Sequence, residues 1–173
     1  MLAYAELFVN LGEYENTYNN ATGVVRTQLL ASKSSILEVC GWVEQAMDLL
    51  VRDCAARCVI STDRIQILEK EYIKRTSGFS YQDHFAKMMV AVVGYRILEK
   101  AELDSGALFT AMCGALTYLT PFRNHYAHTH LDIANPYPNG QTSICSPTVM
   151  KNHAQTTIDG LLALETELIK LSC

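Results

Sequence analysis

Charge is scarce in this chain. Asp, Glu, Lys and Arg supply 18% of its 173 residues, below the usual quarter of a globular protein. Low charge beside 49% hydrophobic residues fits a surface partly buried against another chain, or else a compact monomer with modest surface polarity. A basic excess is lacking too. The formal net charge is −4, the reverse of the balance in a constitutive nucleic-acid binder, so any RNA contact has to be local or helped by a partner. From Arg123 onward the basic residues are Arg123, Lys151 and Lys170. The densest basic stretch, Arg64, Lys70, Lys74 and Arg75, is interleaved with Glu69 and Glu71 and reads as a solvated helix face.

Other absences exclude whole classes. No Cys-x-x-Cys pair occurs among the cysteines at 40, 54, 58, 113, 145 and 173. Cys40, Cys54 and Cys58 fall on an apolar helical face, which suits a reducing cytosol rather than a disulfide scaffold. No Gly-rich phosphate motif is present, and Ser34-Ser35 is a polar helix start, so P-loop, dinucleotide and serine-hydrolase chemistry are not expected. Glu6 and Asn10 interrupt the first apolar run, so no signal peptide is expected there. No stretch approaches the ~20 apolar residues of a membrane span.

What is there is helical periodicity. Tyr4, Leu7, Phe8, Leu11, Tyr14 and Tyr18 trace one face of a first helix, followed by a turn at Asn19, Asn20, Thr22 and Gly23. A long second helix, roughly Ser32 to Val59, carries Ile36, Cys40, Val43, Met47, Leu50, Val51, Cys54 and Cys58 at spacings of three and four. Ser61 or Thr62 caps a third helix with Ile65, Leu68 and Tyr72 inward, ending near Gly78. Ser80 and Asp83 resemble a capping box that opens a fourth helix with Phe85, Met88, Met89, Val92 and Val93 inward. Gly94 bends or ends it, and a short helical piece at Ile97 and Leu98 follows. Asp104 or Ser105 caps the next helix, whose stripe is Leu108, Met112, Ala115, Leu116 and Leu119. Pro121, with Thr120 as N-cap, predicts a kink or a fresh helix start directly before Phe122-Arg123-Asn124. Residues 131 to 147 hold Pro136, Pro138, Gly140 and Pro147 and read as a long functional loop. Ser146 and Pro147 open a last helix through Ile158, Leu161, Leu164, Leu168 and Leu171. The expectation is one all-α domain over residues 1–173, an up-and-down bundle of five to six helices.

Chemistry concentrates in Arg123-Asn124-His125-Tyr126-Ala127-His128-Thr129-His130, which holds three of the five histidines. On a helix Asn124 and His128 share a face, and Arg123 lies about 140° from His128. A guanidinium, an amide and an imidazole near one surface are what phosphoryl transfer within RNA needs. An imidazole exchanges a proton with the ribose 2′-hydroxyl or the leaving oxygen, and a guanidinium holds the phosphate charge. The attacking hydroxyl belongs to the substrate, so this chemistry needs no metal and no cofactor. His125, His128 and His130 do not make a zinc site, since no cysteine or further histidine stands at ligand spacing. His84 reads as a surface or capping residue, His153 as structural and the Met88-Met89 pair as core. Trp42 reads as either core or dimer interface.

The run Arg-Asn-x-x-x-His in the late helices of a helical bundle resembles the Arg-x(4–6)-His motif of the HEPN family. The wider run Arg-Asn-x-x-Ala-His-Thr-His is similar to the branch associated with ribosome-linked RNases. The stretch Ile36-Leu37-Glu38-Val39-Cys40-Gly41-Trp42-Val43-Glu44 resembles that branch's long early helix. The resemblance covers roughly residues 30 to 170. It implies a HEPN-like fold and metal-independent RNA cleavage that leaves a 2′,3′-cyclic phosphate and a 5′-hydroxyl. It also implies a cytoplasmic homodimer whose two motifs face one cleft, in a toxin–antitoxin or defence setting with an antitoxin or regulatory protein. Arg123 would stabilise the phosphorane, His128 would transfer the proton, and Asn124 would orient His128 or the phosphate. Thr129, His130 and His125 would contact the substrate. In HEPN toxins silenced by nucleotidyl transfer a tyrosine stands two residues after the motif histidine. Here that residue is His130, which argues against such silencing. The loop from Leu131 to Ser146 is expected to cover the cleft. The alternative from another class is a non-catalytic HEPN-like module that binds RNA or a protein.

Overall fold

A computed structural model of the chain describes residues 2–58, 61–75, 78–127, 130, 131, 133 and 145–171. Among these described residues there are six helices and no strand, and 88% of them are helical, so the chain is all-α. The helices are α1 (Ala5–Asn20), α2 (Val25–Cys58), α3 (Thr62–Ile67, continued by a π-helical stretch Leu68–Ile73), α4 (Ala86–Val93, entered through a π-helical stretch Tyr81–Phe85), α5 (Tyr95–Ala127) and α6 (Pro147–Leu171). Among the described residues no helix is long and apolar enough to cross a membrane. Contacts divide the chain into two compact units. One holds residues 3–42 and 117–155, and the other residues 43–116 and 156–173. Helices α2, α5 and α6 contribute to both.

In the first unit, α1 buries Leu7 and Leu11 and leads through a turn with Gly23 at φ +83° into α2. That helix begins at Val25 rather than near Ser32. The amides of Thr27 and Gln28 already bond the Val24 carbonyl at 3.0 and 3.2 Å, so the ladder closes one turn after Gly23. Polar contacts clamp α1. Asn10 donates to Glu38 at 2.8 Å, and the Trp42 indole N–H donates to the Ala3 carbonyl at 2.9 Å. Glu15 accepts from Thr148 at 2.5 Å and pairs with Lys151, and these hydrogen bonds hold its carboxyl below the usual range. Pro147 is the first residue of α6, with the Ser146 hydroxyl accepting from the Val149 amide at 3.4 Å, as the sequence predicts.

In the second unit, Val43, Met47, Leu50, Val51 and Cys54 are buried along α2. Burial pushes the Cys54 thiol up to about 12, which keeps it an inert core group. Arg52 grips Glu69 through two bonds of 3.0 and 3.1 Å. The third helix corrects the expected stripe. Leu68 and Ile73 are buried while Tyr72 is 42% exposed. The cause is the π-helical stretch, where the Lys74 amide bonds the Glu69 carbonyl five residues back at 3.0 Å. The wider turn moves the inward position from the fourth residue to the fifth. Ser80 caps the next stretch as predicted, accepting from the Asp83 amide at 3.2 Å and donating to its carboxylate at 3.0 Å.

Two glycines set the next joints. Gly94, at φ 82°, ends α4 and passes directly into α5. Gly106, at φ 57° and ψ −126°, interrupts α5 in a region open to glycine and not to L side chains. This break replaces the expected cap at Asp104 or Ser105. The Ser105 hydroxyl instead turns back to the Ala101 carbonyl at 2.7 Å. Leu108, expected inward, is 49% exposed, and its carbonyl faces Gly160 of α6. A Cβ on Gly160 would stand 2.3 Å from the Met112 Cβ and 2.9 Å from the Leu108 carbonyl oxygen. Gly160 is therefore a contact point that no larger residue fits.

Gly160→Ala is expected to destabilise the fold by about 3 kcal/mol in urea denaturation, since overpacking outweighs the better helix propensity of alanine. Gly114→Ala, where a Cβ meets nothing within 4 Å, is expected to stabilise by up to about 1 kcal/mol. Equal effects at the two sites would contradict the close approach at Gly160.

Candidate active site

The described candidates from Arg123 to His125 sit on the last turns of α5. Pro121 does not restart the helix. The backbone around it is helical, and the one non-helical residue in α5 is Gly106. A proline inside a helix removes one donor and costs about 3 kcal/mol. Leu119, Phe122 and Tyr126 are spaced by three and four and are at most 2% exposed. Burying such side chains contributes about 1.5–3 kcal/mol each, enough to carry the helix through the proline.

This unbroken register decides where the polar residues go. Arg123 is half-buried beside the Phe122 anchor, Asn124 is exposed, and His125 is half-buried with its ring edge-on to Tyr126 at 4.9 Å. At about 100° per residue, Arg123 and His125 lie about 160° apart, on opposite flanks of the buried stripe. The helix therefore brings Arg123, Asn124 and His125 to one end of α5 but not to one face. His130 is exposed beyond the helix end. His128 and Thr129 lie outside the described residues, as does most of the stretch expected to cover the cleft.

Four side chains that the sequence reading does not place beside the motif join this end of the unit. Tyr118 is seven residues before His125 and so shares its flank. His153 of α6 stacks on the Tyr118 ring at 4.4 Å and 18°. The Tyr118 hydroxyl meets the Cys145 sulfur at 3.0 Å. The Lys33 ammonium stands 5.9 Å from the Tyr126 ring centroid. Only the seven-residue spacing of Tyr118 and His125 was a usable signal, because the partners of Tyr118 come from distant segments.

Burial favours the uncharged forms of Tyr118, Cys145 and His153. Burial, aided by the bond with Cys145, pushes the Tyr118 phenol up to about 12. Burial raises the Cys145 thiol despite that bond, so it is not an activated nucleophile. Burial also lowers the His153 imidazole below its ordinary 6.5. A neutral imidazole can accept a proton, whereas Arg123 and Lys33 supply the positive charge at this helix end. Among the described residues no three His, Cys, Asp or Glu side chains converge as metal ligands would.

No protein-family model matches the chain, and neither curated proteins nor solved structures give a match.

The His153 stack carries a pH dependence. Its folded-state pKa is depressed, so between that value and 6.5 the unfolded chain binds more protons. Stability is then fully present above about 6.5 and falls as pH drops through this window. His153→Phe, which keeps an aromatic ring against Tyr118, is expected to flatten the stability profile between pH 7 and pH 5.5. An unchanged slope in thermal unfolding would contradict this assignment.

Proposed function

We propose that the chain is a metal-independent endoribonuclease of the HEPN type that works as a homodimer. The observation that carries this reading is the placement of Arg123 and Asn124. Both stand on the final turns of α5, fixed by the buried Phe122 and Tyr126, and His128 follows four residues after Asn124 in the sequence. In the proposed reaction the ribose 2′-oxygen attacks the adjacent phosphorus and passes its proton to an imidazole. The bond from phosphorus to the 5′-oxygen breaks, and that oxygen takes a proton from a second acid. The products are a 2′,3′-cyclic phosphate and a 5′-hydroxyl. Arg123 offsets the charge on the phosphate oxygens. His128 of one protomer acts as base and His128 of the other as acid, since one imidazole cannot fill both roles at once. Asn124 orients His128 or the phosphate, and Thr129, His130 and His125 contact the strand. The net charge of −4 makes a weak, locally bound RNA substrate part of this reading. The setting is a cytoplasmic toxin or defence component held by an antitoxin or regulatory protein.

A second reading is a non-catalytic module that binds RNA or a protein. It is favoured by Tyr95 and Leu103, which are 80% and 74% exposed.

Purified protein in EDTA is expected to cleave RNA and leave 2′,3′-cyclic phosphate ends. Arg123→Ala and His128→Ala are each expected to lower the rate by about 100-fold or more, with the dimer intact. Equal cleavage by all three proteins would refute the site. Absence of cleavage by wild-type dimer would support the binding module.

A further inference from the structure

The second unit holds a pocket that the nuclease reading does not use. It lies between two helix stripes joined by Gly94. Gln82, Ala86 and Val90 recur every four residues on the α4 side, and Tyr95, Leu98, Glu99 and Glu102 follow helical spacing on α5. The pocket measures about 290 Å³, near the bottom of the ~300–1,000 Å³ range of small-molecule sites. Its floor is apolar, from Ala86, Val90 and the buried Leu98, while Gln82, Tyr95 and Glu99 form an exposed rim. The Tyr95 ring is 80% exposed, a large apolar surface beside the opening.

Neither carboxylate of the pocket forms an ion pair among the described residues, and the exposed Arg96 is the cation next to Tyr95 in the chain. Glu99 makes no hydrogen bond or ion pair among the described residues. Glu102 accepts a bond of 2.6 Å from the Tyr81 hydroxyl, which orients its carboxylate without neutralising it. The nearby lysines are engaged elsewhere. Lys100 pairs with Asp104 at 2.8 Å and Lys87 leans on Asp83 at 4.0 Å. Tyr81 is itself held by ring contacts, 4.9 Å from Phe109 and 5.5 Å from Phe85. The wall carrying Glu102 is therefore already formed before any ligand arrives.

We propose that this pocket binds a small organic cation, an alkyl chain ending in an ammonium group. The alkyl part lies on Ala86, Val90 and Leu98. The ammonium sits between the Glu99 and Glu102 carboxylates and against the face of Tyr95, where a cation is attracted by the ring. The volume admits a chain of a few carbons. The pocket's charge disfavours anions, so it is not a second RNA site.

The test uses the full-length protein and n-butylammonium chloride, followed by NMR shifts of the amides from Tyr95 to Glu102. Ammonium chloride and sodium butyrate separate the contributions of charge and chain. Butylammonium is expected to give saturable shifts, ammonium weaker ones and butyrate none. Glu99→Gln and Tyr95→Ala are each expected to weaken binding by about three- to fivefold, as suits exposed ion-pair and cation–π contacts. Both side chains are solvent-exposed, and helical circular dichroism checks that the variants stay folded. Lack of saturation by butylammonium, equal binding of butyrate, or unchanged affinity in both variants would overturn the site.

Discussion

The buried register of Leu119, Phe122 and Tyr126 is the constraint on which the candidate active site depends. These side chains keep the last part of α5 helical across Pro121. A proline and three buried apolar groups compete at one point, and the groups win because their combined burial exceeds the loss of one backbone bond. Helical geometry then leaves no freedom to Arg123, Asn124 and His125. Each is presented at an angle set by anchors on either side of it. Had the helix restarted at Pro121, the same residues would have faced elsewhere.

A consequence is that the described candidates of one protomer do not share a face. Arg123 and His125 flank the stripe from opposite sides, and the flank shared by His125 and Tyr118 holds neutral groups in His153, Tyr118 and Cys145. The proposal of a second copy rests instead on the need for two imidazoles, one as base and one as acid. On the proposed reading, the net charge of −4 means that any RNA contact is local and leans on Arg123. The groove beside Gly94 has the opposite character, with carboxylates over an apolar floor.

Much of the architecture was legible in the residues themselves. Ser80 with Asp83, and Ser146 with Pro147, are local signals, and local chemistry decides how those helices begin. The stripe of α6 through Ile158, Leu161, Leu164 and Leu168 is buried as its spacing predicts. Misreadings arose where the backbone departs from the ideal turn. A π-helical stretch puts Ile73 rather than Tyr72 inward, and no residue type announces that stretch. The break at Gly106 rather than a cap at Ser105 reflects a backbone conformation available to glycine. The local cost of Pro121 predicts a break, while the buried neighbours that override it act through tertiary packing. The stack of His153 on Tyr118 joins residues far apart in the chain, beyond the reach of periodicity. The spacing to His128 singles out Arg123 and Asn124 as candidates, whereas their separation from His125 around the helix needs the register.

The shared-cleft account is tested most directly by mixing wild-type protein with increasing amounts of His128→Ala under conditions of subunit exchange, in EDTA, and measuring RNA cleavage. If both imidazoles serve one reaction, activity falls as the square of the wild-type fraction, because only wild-type pairs can cut. A linear fall would show that each protomer acts alone, and cleavage that needs added Mg²⁺ would contradict the metal-free mechanism itself.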